Sequence, residues 1–151
     1  MRVFENLAEL EPLVGEEIAV SDWVKVTQQR IDQFAEATGD HQWIHVDPQR
    51  AAAGPFGATI AHGFLTLSMM PMFAENAIEF RNVRMSVNYG LNRVRFTSPV
   101  PVDSELRARF RLVAVDDIGD NGVQVTTEVT IERKGSDRPV CVAESIARRY
   151  A

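Results

Sequence analysis

His62-Gly63-Phe64-Leu65-Thr66-Leu67-Ser68-Met69-Met70-Pro71-Met72-Phe73-Ala74-Glu75-Asn76-Ala77-Ile78 is the stretch that decides the fold. Phe64, Leu65, Leu67, Met69, Met70, Met72, Phe73 and Ile78 leave a helix here without a clearly polar face. A helix that is apolar nearly all round is buried. Pro71 removes one backbone hydrogen bond and crowds the preceding turn, so a kink or break is expected there.

Downstream the period becomes two. Val83, Met85, Val87 and Tyr89 alternate with Arg84, Ser86 and Asn88, and Gly90 suits a bulge or bend. Val94 and Phe96 follow, then an interruption at Pro99 and Pro101. Leu106, Ala108, Phe110 and Leu112 alternate with Arg107, Arg109 and Arg111. Residues 116–122, rich in Asp, Asn and Gly, read as a hairpin loop before the alternating run from Val123 to Glu132. A turn at Lys134 to Asp137 leads to a last strand from about Val140 to Arg149. At least four strands in hairpin order are expected, with Glu17 to Val26 supplying a fifth. An antiparallel sheet needs a cover for its apolar face, and the helix after Gly63 is the candidate. The expected fold is therefore α+β, an antiparallel five-stranded sheet wrapped around a long central helix.

Upstream, Thr27 to Thr38 has the spacing of a helix, with Ile31, Phe34 and Ala35 on one face. Thr27 suits its N-cap and Gly39 the left-handed position that ends it. Asp40 then lies just past a helix end. Asp47-Pro48 starts another short helix, Asp47 as cap and Pro48 as first residue, and Gly54-Pro55 ends it. His45 is expected in an irregular link between the two.

The 151 residues suggest one domain, 1–151, with a full core. A net charge of -5 carries no basic footprint of a nucleic-acid binder. The most apolar stretch, Phe64 to Ala74, is too short to span a bilayer. The residues Met1 to Asn6 lack the apolar core of a signal peptide, so a cytoplasmic protein is expected. Cys141 is the lone cysteine and sits in an apolar run that reads as strand, so it is expected to be a buried, inert thiol.

All three histidines fall between His41 and His62. Imidazole is the side chain that titrates nearest neutral pH. Asp40 and His45, five residues apart, form a candidate acid/base pair. A metal site built from His41, His45 and an Asp needs a helical segment, which Gly39 and Trp43-Ile44 oppose.

Phe34-Ala35-Glu36-Ala37-Thr38-Gly39-Asp40, His45-Val46-Asp47, Phe56-Gly57 and Ile60-Ala61-His62-Gly63-Phe64-Leu65-Thr66 occur in order, and the pattern extends past Arg93-Val94-Arg95-Phe96-Thr97-Ser98-Pro99-Val100. Together they resemble the MaoC-like dehydratases, and more narrowly the (R)-specific enoyl-CoA hydratases of the hotdog fold. The resemblance implies reversible addition of water to a trans-2-enoyl-CoA, giving an (R)-3-hydroxyacyl-CoA. It implies Asp40 and His45 as the catalytic pair and the Gly63 amide as the donor that polarises the thioester carbonyl. It also implies a homodimer with an acyl tunnel near the subunit boundary. Many family members carry Asn-Pro where this chain has Gln42-Trp43, and related hydratases often have a polar residue near Pro71.

The chemistry suits those residue types. Water must lose a proton while attacking C3, and C2 must gain one. A carboxylate and an imidazole gripping one water can orient it and move its protons. Negative charge builds on the thioester oxygen, where preorganised amide donors are often the largest catalytic contribution. Gly63 leaves the approach to such a donor open. No metal or organic cofactor is required.

His62, Phe64, Arg93 and Arg95 are the substrate-binding candidates, Arg93 and Arg95 for the phosphates of coenzyme A. His62 could equally hold the turn before the helix, Asp40 could close an Asx-turn, Asp47 is expected to be only a cap, and His41 an exposed loop residue. The Arg107, Arg109, Arg111 row is expected to pair with Glu128 or Glu132 across the sheet, with the coenzyme A phosphates as the alternative partner it shares with Arg93 and Arg95. The rival functions are a hotdog thioesterase and an acyl-CoA-binding subunit without catalysis.

Overall fold

The computed structural model describes residues 1–151. Its strands are β1 Arg2–Phe4, β2 Glu17–Val20, β3 Val24–Lys25, β4 Ile78–Phe80, β5 Met85–Arg95, β6 Glu105–Gly119, β7 Gly122–Arg133 and β8 Pro139–Tyr150. Its helices are α1 Gln28–Thr38, α2 Trp43–Val46, α3 Pro48–Ala52, α4 Gly63–Ser68 and α5 Met70–Ala77.

The main sheet is antiparallel, with β6, β7, β8 and β5 adjacent in that order. β2 and β3 both pair with the other edge of β6. This gives six strands where five are expected, because the segment Glu17 to Val26 is interrupted after Val20. At the interruption the Ser21 hydroxyl accepts the Ala108 N–H at 2.9 Å, doing the work of a ladder carbonyl. Hairpin order holds only for β6, β7 and β8. β5 crosses to the far edge and pairs with β8, and the chain returns through Pro99 and Pro101. The two-stranded parallel pair β1 and β4 stands apart.

Alternation along β6 buries Leu106, Ala108, Phe110 and Leu112 and turns Arg107, Arg109 and Arg111 to the outer face. There Arg107 and Arg109 meet Glu132 at 2.8 and 2.6 Å, and Arg111 meets Glu128 at 3.2 Å. The β6–β7 turn places Asp120 and Asn121 at φ 53° and 57°, the left-handed pair that matches strand twist. The expected irregularity in β5 is a register shift between Asn88 and Gly90.

The central helix covers the inner face but is not one long rod. It is interrupted at Met69, two residues before Pro71, into α4 and α5. Proline has no N–H to return to the Leu67 carbonyl, so one rung of the ladder is lost. Nor is the helix buried all round. Leu65, Thr66, Met69, Phe73 and Ala77 face the core, while Phe64, Ser68, Pro71 and Glu75 form an exposed stripe at helical spacing. Phe73 packs with Leu10, Leu106, Leu112 and Ile131 in the interior. Cys141 is buried in β8, and burial pushes its thiol up to about 11, so it is no nucleophile at neutral pH.

Candidate active site

The site begins where α1 stops. The Thr27 hydroxyl accepts the Arg30 N–H at 3.2 Å, and Gly39, at φ 80°, returns its N–H to the Ala35 carbonyl. That left-handed residue turns the chain sharply and presents Asp40. The Asp40 carboxylate accepts the Gln42 N–H at 3.3 Å, so it closes an Asx-turn and yet keeps its second oxygen free.

His45 does not lie in an irregular link. Trp43 to Val46 closes one helical turn, α2, which carries the His45 ring inward. Only 6% of His45 is exposed. Its Nδ1 lies 2.6 Å from the Ile60 carbonyl oxygen. A carbonyl can only accept, so Nδ1 carries the proton and Nε2 of the neutral ring keeps its lone pair. Ile60 is itself held, its N–H donating to the Ile44 carbonyl at 3.0 Å.

His62 backs this pair. Its ring stacks on that of His45 with centroids 3.9 Å apart, and the Phe34 ring tilts against its other side at 5.0 Å. Its Nε2–H donates to the Asp40 backbone carbonyl at 3.0 Å, tying the Asp40 turn to the start of α4. Nδ1 of His62 is buried without a protein partner. The Asp40 carboxylate and the two imidazoles bring ligating atoms within 4.8 Å of one another. Burial holds His45 below the ordinary imidazole value of 6.5, helped by His62, against the opposing pull of the Ile60 hydrogen bond and the Asp40 carboxylate.

Three such donors suggest a metal, but the ring geometry does not fit one. A metal sits in the plane of each ligating imidazole at about 2.1 Å from nitrogen. Rings stacked with centroids 3.9 Å apart and planes inclined at only 24° do not converge at that distance. The ring of His41 lies elsewhere, exposed, 3.7 Å from Glu36.

Gly63 follows His62 and is the first residue of α4, so its N–H has no acceptor within the helix. A Cβ at Gly63 would lie 2.7 to 2.9 Å from the ring atoms of Phe96. Any side chain here would have to displace the Phe96 ring, a reason for glycine that the sequence alone does not offer. Phe64 is exposed and meets Phe96 edge-on at 5.9 Å. Arg93 and Arg95 are not gathered with Asp40 and His45. They line a separate depression of about 330 Å³ with Thr97, Glu128 and Glu144. Asp47 is a cap, accepting the Arg50 N–H at 3.0 Å.

Gln28 is a site residue that the sequence reading missed. Its amide N–H donates to the His45 carbonyl at 2.8 Å, and its oxygen accepts the Thr59 hydroxyl at 2.5 Å. It clamps α1, α2 and the Ile60 segment together. As the first residue after a helix cap it looks like any polar opening residue, and no local pattern marks it.

Residues 9–134 match the model of the MaoC like domain. The chain is 54% identical over 151 residues to the 3-hydroxyacyl-thioester dehydratase Z of Mycobacterium tuberculosis, covering all of both chains. It is 46% identical to nodulation protein N of Rhizobium leguminosarum bv. viciae, over 93% of this chain and 89% of that one. Among solved structures it superposes on the (R)-hydratase PhaJ1 of Pseudomonas aeruginosa with a TM-score of 0.71. That match is 23% identical and covers 95% of this chain and 84% of the other.

Proposed function

The chain belongs to the MaoC-like domain family and is a hydro-lyase, and from that premise we propose that it adds water to trans-2-enoyl-CoA to give (R)-3-hydroxyacyl-CoA, reversibly. One observation carries the reading. The Nδ1–H of His45 is committed to Ile60, which leaves Nε2 as a free base beside the Asp40 carboxylate.

In the proposed mechanism Asp40 is the principal base. It accepts a proton from water as the oxygen bonds to C3, while Nε2 of His45 accepts the water's second hydrogen bond and fixes its direction. The C2–C3 π pair moves toward the thioester, and the oxygen that gains charge is met by the Gly63 N–H. The proton taken from water is then returned to C2. His62 acts as a positioning residue, holding Asp40 by its backbone rather than touching the reacting atoms. No metal or organic cofactor enters any step.

An apolar cavity of about 660 Å³ lies beside α4 and α5, lined in part by Leu67, Met70, Ala74 and Val129, and is the proposed space for the acyl chain. Phe64, Arg93 and Arg95 stay as candidates for the coenzyme A side. We take residues 1–151 as one domain acting in a homodimer. β5 supports that reading. It is an edge strand with Met85, Val87, Tyr89 and Leu91 all more than 40% exposed, a surface that calls for a second strand. No helix is long and apolar enough to cross a membrane, and the cytoplasm is the proposed compartment.

The test is to incubate the purified protein with trans-2-decenoyl-CoA and to resolve the product by chiral chromatography. The (R)-3-hydroxy product is expected. The (S) product, or free coenzyme A, would defeat the proposal.

A further inference from the structure

The cavity beside α4 and α5 is not uniformly apolar. It holds one basic residue, Arg149, and one acidic residue, Glu75. Arg149 stands on the face of β8 that also presents Ser145 and Ala147 to the cavity. Its guanidinium lies 4.1 Å from the centroid of the Phe80 ring. Nη1 donates to the hydroxyl of Ser86, its cross-strand neighbour. Nε is buried without a protein partner. The arginines on the outer face of β6 each have a carboxylate within ion-pair distance, but Arg149 has none, and Glu75, exposed on α5, does not pair with it. Burial alone pulls this guanidinium below its ordinary value.

The guanidinium is half-buried, with its Nε fully out of solvent, and a partly desolvated cation without a counter-charge is costly unless something supplies one. Here the fold provides a neutral hydroxyl and an aromatic face, both of which suit a guanidinium but neither of which neutralises it. The rest of the lining is largely hydrophobic, so a ligand that reaches Arg149 must carry an apolar body. A planar carboxylate is the group that a guanidinium matches best.

We infer that this cavity recognises a carboxylate borne on an apolar chain, with Arg149 as its specificity-determining residue and Ser86 as the group that orients the guanidinium. The carboxylate has two possible sources. One is the distal end of the acyl chain of a thioester substrate, which rests on the function proposed above. The other is a free fatty acid that enters the cavity head first.

The test compares decanoate with decan-1-ol, equal in chain length, by calorimetry on the full-length protein. Decanoate is expected to bind about tenfold more tightly or better, the gain of one charge-assisted hydrogen bond. Arg149→Met is expected to erase that difference, and Arg149→Lys to keep part of it. Equal affinities for acid and alcohol in the unmodified protein, a comparison that needs no variant to fold, would overturn the inference. So would an undiminished difference in Arg149→Met. The source follows from turnover of trans-2-decenoyl-CoA and its ω-carboxyl counterpart. A higher kcat/KM for the carboxyl-ended thioester assigns the substrate, and competition by decanoate without that preference assigns the free acid. If neither thioester is hydrated, the proposed function fails, while the acid-against-alcohol comparison still decides the role of Arg149.

Discussion

The imidazoles of His45 and His62 are stacked, centroids 3.9 Å apart and planes inclined at 24°. Two cations at that separation repel strongly, so His62 adds to the burial that opposes a charge on His45. The stack also fixes where the lone pairs point. Each ring gives its proton to a backbone carbonyl, His45 to Ile60 and His62 to Asp40, and neither spends a lone pair on the protein.

The acid side of the pH profile follows from this. His45 binds a proton less readily in the folded protein than in the unfolded chain. Between its folded value and about 6.5 the unfolded state holds the extra proton, so stability falls as pH is lowered through that window. The acid limb of kcat/KM is expected below pH 6.5, and the acid loss of urea resistance is expected to shrink in His45→Gln. A limb that begins above pH 6.5 would contradict the assignment.

Gln28→Leu removes both hydrogen bonds of the clamp and leaves the Thr59 hydroxyl and the His45 carbonyl without their partner. A loss of about 1–3 kcal/mol in urea denaturation is expected. Turnover should drop through kcat more than through KM, because Gln28 holds the His45 backbone.

Gly63→Ala separates two reasons for glycine. Its Cβ would press on Phe96, so the single variant is expected to lose stability, and Phe96→Ala in the same chain to restore it. Turnover should stay low in the double variant if the thioester oxygen must reach the Gly63 amide. Recovery of both would leave Phe96 packing as the sole reason.

Leu91→Lys places a charge on the free edge strand. Sedimentation is expected to show a dimer for the unmodified protein and a monomer for the variant. A monomer at both would remove the homodimer from the account.

Much of this was legible in the residues, for particular reasons. The α1 cap, the Gly39 stop and the Asp47-Pro48 start are local signals, each satisfied within a few residues, and the structure shows all three. Period-two alternation likewise placed β6, β7 and β8. The crossing of β5 to the far edge was not legible, because pairing partners depend on the whole sheet rather than on neighbours in sequence. The Gln28 clamp and the Phe96 contact with Gly63 were hidden for the same reason, spanning 31 residues to Thr59 in the first case. The one-turn helix at Trp43 is too short to leave a periodic trace. Arg149 reads as one more basic residue on a terminal strand until the cavity around it is seen.

The central claim is that Asp40 and His45 act on one water. The most direct measurement is turnover of crotonyl-CoA by Asp40→Asn and His45→Gln, followed as loss of the enoyl absorbance, with a thiol assay alongside and circular dichroism to confirm folding. Each variant is expected to stay folded and to lose about 10²–10⁴ in kcat, with no thiol released at any stage. Near-normal turnover in both folded variants would contradict the account.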